Sequence, residues 1–120
     1  MRIFLVPLIA FALSPAEQPS EPSEFAMRSA FEASLRAQVQ NVLEFLQETG
    51  GPEAVERVKK AGTDRFEVRS FKKLDCARDA TGHVCNFSVD VSVVNGEIEQ
   101  KVRGHFVSGP NRGLTFVQDI

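Results

Sequence analysis

The side chains with the widest chemical range in this sequence are two cysteines, Cys76 and Cys85, and two histidines, His83 and His105. A pair of thiols can close a disulfide, cycle as a redox couple or hold a soft metal. A zinc site drawing on Cys76, Cys85 and His83 would be one ligand short of four, and its spacing fits no common zinc pattern. Neither histidine has a serine or cysteine together with a carboxylate arranged around it in the manner of a nucleophilic triad. No catalytic residue, metal ligand or cofactor site is therefore assigned. The other chemistry within reach is electrostatic, carried by Arg69, Lys73, Lys101 and Arg103, and it depends on where the backbone places these residues.

Two hydrophobic periods define that backbone. From Glu24 to about Thr49, Phe31, Leu35, Val39, Val42 and Leu46 recur at three- and four-residue spacing. Arg28, Glu32, Arg36 and Glu44 largely take the other side, which predicts a long amphipathic helix. Ser20 or Ser23 is placed to cap its start. Gly50-Gly51-Pro52 predicts its end, and Pro52 suits the first position of a second, short helix running to Ala61, with Gly62 as its stop. After that the period changes to two. His83, Cys85, Phe87, Val89, Val91 and Val93 alternate with more polar residues, the pattern of a strand with one buried and one wet face.

Asn95-Gly96 is a strong hairpin signal, because both central residues of the favoured turn must tolerate positive φ. A two-residue turn there sets Cys85 against Phe106, Phe87 against Gly104, Val89 against Val102 and Val93 against Ile98. The inward residues of one strand meet the inward residues of the next. A turn at Ala80-Thr81 extends the sheet backwards, setting Cys76 against Cys85, Leu74 against Phe87 and Val68 against Val93. A last strand, Leu114 to Ile120, returns through a Gly- and Pro-containing loop and places Phe116 beside Gly104, its ring covering bare backbone. The expected fold is α+β: a long N-terminal helix plus a short helix packed on one face of a four-stranded antiparallel meander sheet.

In this register Cys76 and Cys85 are direct cross-strand neighbours, at a separation a disulfide accepts. A staple across the first hairpin is the structural reading, and the redox pair or metal site stays open as the alternative. The wet face gathers Lys73, Lys101, Arg103 and His105, with Asp90 opposite Lys101 and Phe71 beside it. Opposite charges across strands are the ordinary state of a solvated sheet face. The sharper reading makes this face a docking surface for an acidic protein, anchored by Phe71, Val84 and Val107. The final strand lies at the sheet edge with one charge, so Thr115 and Val117 are candidates for edge pairing with another chain or a second copy. Monomer and homodimer both remain open.

The N-terminus supplies the compartment. Met1-Arg2 precedes an uncharged apolar run of 11 residues, Ile3 to Leu13, and Ser14-Pro15-Ala16 offers small residues for a cut after Ala16. This is the layout of a secretory signal peptide, and the run falls short of the roughly 20 residues a spanning helix needs. Residues 17–23 read as a polar, proline-bearing tether and residues 24–120 as one domain. Cleavage would leave 104 of the 120 residues, and loss of Arg2 would take the formal charge from −2 to −3. The balance lacks the basic footprint of a nucleic-acid binder. With the leader gone, no membrane association is expected, and the destination is periplasmic or secreted. There is no Trp or Tyr, so ten Phe residues supply all aromatic bulk.

The order of long helix, short helix and four-strand meander, covering about Ser23 to Ile120, resembles the cystatin-like and NTF2-like group. The segments Phe71-Lys72-Lys73-Leu74-Asp75-Cys76 and Cys85-Asn86-Phe87-Ser88-Val89 resemble small exported bacterial proteins in which two cysteines tie the first hairpin. The enzymes of the NTF2-like group carry carboxylates, histidines or tyrosines inside the cone of sheet and helix. Here the expected interior is Phe31, Leu35, Phe87, Val89, Phe106, Phe116 and their apolar neighbours, so no catalytic residue carries over. A non-enzymatic exported binding module is the preferred reading; a small enzyme or ligand carrier with a pocket between helix and sheet is the alternative.

Overall fold

Ser23 begins the folded part, its side-chain oxygen accepting the Ala26 N–H at 3.1 Å. It caps helix α1 (Glu24–Ala61), which ends at Gly62, a left-handed residue (φ 78°) whose N–H donates to the carbonyls of Lys59 and Val58. The computed structural model describes residues 21–109 and 113–118. The leader over residues 1–16, Ser20 and residues 17–19 of the expected tether lie outside the described residues. The last residues of that tether are pinned: Glu21 pairs with Lys73 Nζ at 2.5 Å, and the Pro22 carbonyl accepts from the same ammonium at 2.8 Å.

The end expected at Gly50-Gly51-Pro52 is a break inside one helical element. Gly51 alone leaves helical dihedrals (φ 76°, ψ −177°), so the expected short helix is the second arm of α1 and not a separate element. Glycine accepts this φ at no steric cost, and Pro52 at the start of the new arm has no N–H to leave unpaired. The break turns the chain back on itself. Val55 and Val58 come beside Leu43 and Val39 of the first arm, and Ala54 is buried.

Four strands follow, β1 (Phe66–Arg78), β2 (His83–Val93), β3 (Gly96–Ser108) and β4 (Leu114–Gln118). They form an open antiparallel sheet in the order β1-β2-β3-β4. The β2–β3 turn falls on Val94-Asn95, one residue earlier than expected, with Val93 facing Gly96. Every pair is thereby displaced by two positions: Cys85 faces Gly104 and Phe87 faces Val102. A shift of two preserves which face each residue occupies, so the inward set is unchanged.

β1 differs more. Two register shifts, between Val68 and Ser70 and between Lys73 and Asp75, interrupt its pairing with β2. Each inserts one residue and reverses the facing of what lies beyond it. Cys76 keeps its expected partner Cys85, but Lys73 faces Phe87, Phe71 faces Val89 and Val68 faces Val91. Leu74, expected inward against Phe87, is 42% exposed, while Phe71, expected on the wet face, is 8% exposed.

The core is a phenylalanine cluster. Phe31 of α1 lies 6.0 Å from Phe71, 5.2 Å from Phe87 and 5.5 Å from Phe116, ring centre to ring centre. Phe71 stacks on Phe87 at 4.6 Å, and Phe106 lies 5.0 Å from Phe116. Met27, Ala30, Val68, Val89 and Val102 fill the space between. The helix contributes only its first turns to this core, because Val42 and Phe45 are exposed. The contacts follow β1 lengthwise, from Glu24 at the Lys73 N–H past Arg28 at the Val68 carbonyl, so the later turns of the helix pass beyond the phenylalanine cluster.

Candidate functional site

Cys76 and Cys85 are joined as a disulfide, and Cys85 is fully buried beneath the core. Both sulfurs are therefore committed to the staple and neither is available as a metal ligand. A disulfide suits a non-reducing compartment. Among the described residues no helix is long and apolar enough to cross a membrane.

The β1–β2 turn beside this staple is organised by Asp79. Its Oδ1 accepts the backbone N–H groups of Thr81 at 3.0 Å and Gly82 at 2.8 Å and the Thr81 hydroxyl at 3.3 Å. Its Oδ2 stands 2.9 Å from His105 Nδ1 on β3. Burial pushes the carboxyl upward, but the two backbone donors, then the His105 charge and the Thr81 hydroxyl, outweigh it and hold Asp79 below its ordinary value. A short polar side chain bonding its own backbone two and three residues on is the Asx-type turn device. The Asp-Ala-Thr-Gly string carried that signal in the sequence, whereas the link to His105 depends on the sheet and left no local trace. His83 lies buried at the inward start of β2, as expected.

The outer face of β3 shows Lys101, Arg103 and His105 in alternation with buried Val102, Gly104 and Phe106. Lys101 faces Ser88, Arg103 faces Asn86 and His105 faces Val84. The expected Asp90–Lys101 pair is replaced by Asp90 between Ser70 and Glu99, a consequence of the two-residue shift. Asn86 donates to Asp75 at 2.8 Å across the neighbouring pair. Two of the expected face residues are elsewhere. Phe71 is in the core, and Lys73 turns to the helix side, where its Nζ holds Glu21 and Pro22 and its N–H donates to Glu24. The β1 bulges cause both changes. β4 is the sheet edge, with Thr115 opposite Val107 and Val117 opposite His105, both exposed on the outer face.

The inner face carries a feature that periodicity could not show. Past the phenylalanine cluster the helix and the sheet diverge, leaving a cleft of about 240 Å³ whose apolar wall includes Leu35, Val39, Phe66, Val91, Val93 and Ile98. A second cleft of about 400 Å³, between the two arms of α1, is lined by Val42, Leu43 and Val58. Gln38, Val39, Thr63 and Asp64 line both. Asp64 Oδ1 is closed off from solvent and has no hydrogen-bond partner.

The chain matches no family model, no curated protein and no solved structure.

Proposed function

We propose that this protein is an exported, non-enzymatic binding module that docks an acidic protein surface on the outer face of its sheet. The observation that carries this reading is the alternation on β3: Lys101 and Arg103 project outward because Val102 and Gly104 are buried. Half-buried Val84 and Val107 flank them and supply apolar contact. Phe71 and Lys73 drop out of the docking set, and His105 stays at its rim through Asp79. The filled phenylalanine core supports a binding role over catalysis at that end of the molecule. The Cys76–Cys85 disulfide and the leader-like N-terminus support a periplasmic or secreted location. The cystatin-like and NTF2-like resemblance is carried forward as a proposal on element order. Within the same reading, β4 is the strand for self-pairing, through Thr115 and Val117.

Immobilised protein should capture an acidic partner from the exported fraction, in a salt-sensitive manner. Joint replacement Lys101→Glu and Arg103→Glu should abolish capture while the circular dichroism spectrum is unchanged. Equal capture by the double variant overturns the reading. A second reading, a ligand carrier, is favoured by one specific observation: the cleft between helix and sheet, walled by Leu35, Val39, Phe66 and Val91.

A further inference from the structure

β4 leaves much of the edge beside it bare. β3 spans 13 residues, Gly96–Ser108, and β4 pairs only with residues 104–108 of it. Among the described residues no strand lies against residues 97–103 on the side away from β2. An open strand edge presents unpaired N–H and C=O groups to a further strand. Charged side chains usually guard such an edge, and here the order of their signs decides what can pair. Residues 97–103 read Glu, Ile, Glu, Gln, Lys, Val, Arg, acidic before Gln100 and basic after it. Glu99 also faces Asp90 on β2, and like charges directly opposite one another are unfavourable. Neither Glu97 nor Glu99 has an ion pair among the described residues to offset this.

Antiparallel pairing of two β3 strands about a two-fold axis at Gln100 fills the edge and compensates the charge together. Residues equally far from Gln100 on either side then face each other: Glu99 faces Lys101 of the second copy, and Ile98 faces Val102 of the second copy. Each contact occurs twice by symmetry, and outward side chains meet outward ones. Moving the centre to Glu99 or Lys101 sets that residue against its own copy, a like-charge pair. A centre between two residues sets inward side chains against outward ones. Length agrees with charge. The bare stretch is bounded by Gly96 at the turn and by Gly104, which already faces Gln118, and its midpoint is Gln100. Ile98, exposed in the single chain, gains an apolar neighbour. We propose that a second copy of this chain pairs along residues 97–103 of β3, antiparallel and centred on Gln100, making one continuous sheet. This goes beyond the pairing assigned to Thr115 and Val117, which uses the free side of β4, and it needs no acidic partner.

The test is sedimentation velocity of the purified protein over a range of concentrations, with no partner present. A single strand ladder is a smaller contact than a standard interface, so the expected result is a reversible monomer–dimer equilibrium. Glu99→Lys places like charges opposite each other at both symmetric positions and should weaken the dimer about tenfold or more. Lys101→Glu does the same with the opposite sign and should have a similar effect. Glu99→Lys combined with Lys101→Glu exchanges the signs, recovers both attractions and should return the dimer to within about threefold of the native protein. Glu99 and Lys101 are exposed, so the circular dichroism spectrum should be the same in every variant. A dimer lost through misfolding would not be recovered by the second charge change. A monomer at every concentration up to about 1 mM, or a double variant that stays monomeric, would overturn the proposal. Single variants that dimerise like the native protein would also overturn it and point to β4 instead.

Discussion

Phe116 lies directly over the bare backbone of Gly104, so close that a Cβ on the glycine would collide with the ring. The two are not cross-strand partners, since Gly104 faces Gln118 and Phe116 faces Phe106. The ring reaches diagonally and closes against Phe87 at 5.6 Å. Gly104→Ala should therefore overpack the core and cost about 1–3 kcal/mol, whereas Gly113→Ala, with open space around its would-be Cβ, should cost far less. Urea unfolding of both variants checks this.

The bulges in β1 make a sharper prediction, because they exchange the roles of two neighbouring apolar residues. Phe71→Ala removes a ring stacked on Phe87 and should cost about 3–5 kcal/mol, enough to abolish a cooperative transition in a marginal domain. Leu74→Ala removes an exposed side chain and should stay within about 0.5 kcal/mol. The reverse ranking would mean that β1 pairs without interruption and that Phe71 lies outside.

These two residues also mark the limit of what could be read without coordinates. The alternation from His83 to Val93 made β2 and its inward face legible, and Cys76 opposite Cys85 survived because no bulge lies between that pair and the turn. An error of two in the β3 register did no harm to facing. A bulge, in contrast, is a one-residue insertion with no compositional mark in Arg69 or Leu74, and it reversed the placement of Phe71 and Lys73. Lys101, Arg103 and His105 were legible as outward because they sit on an unbroken strand. The cleft between helix and sheet was not, because it arises where α1 continues past the phenylalanine cluster and breaks at Gly51.

The disulfide closes a short loop, with a sequence separation of 9. In the chain-entropy picture it contributes roughly 2–3 kcal/mol. Cys76→Ser with Cys85→Ser should lower the urea midpoint accordingly. Denatured, unreduced protein should show no free thiol, and a count of two would contradict the staple.

Asp79 gives a pH dependence with a definite sign. Its folded pKa is below the ordinary 3.8, so its contribution is fully present above that value and is lost as pH falls through the folded pKa. Thermal melts across the carboxylate range should show the native protein losing stability on this acid limb. Asp79→Asn, which cannot ionise, should flatten the part due to this residue, and an unaltered limb would remove Asp79 from the account.

The outer face is tested most directly by titrating the captured partner against native protein and the Lys101→Glu, Arg103→Glu variant at two salt concentrations. The account predicts saturable binding to the native protein that weakens as salt rises and is lost in the variant. Binding that is equal in both proteins and insensitive to salt would contradict it.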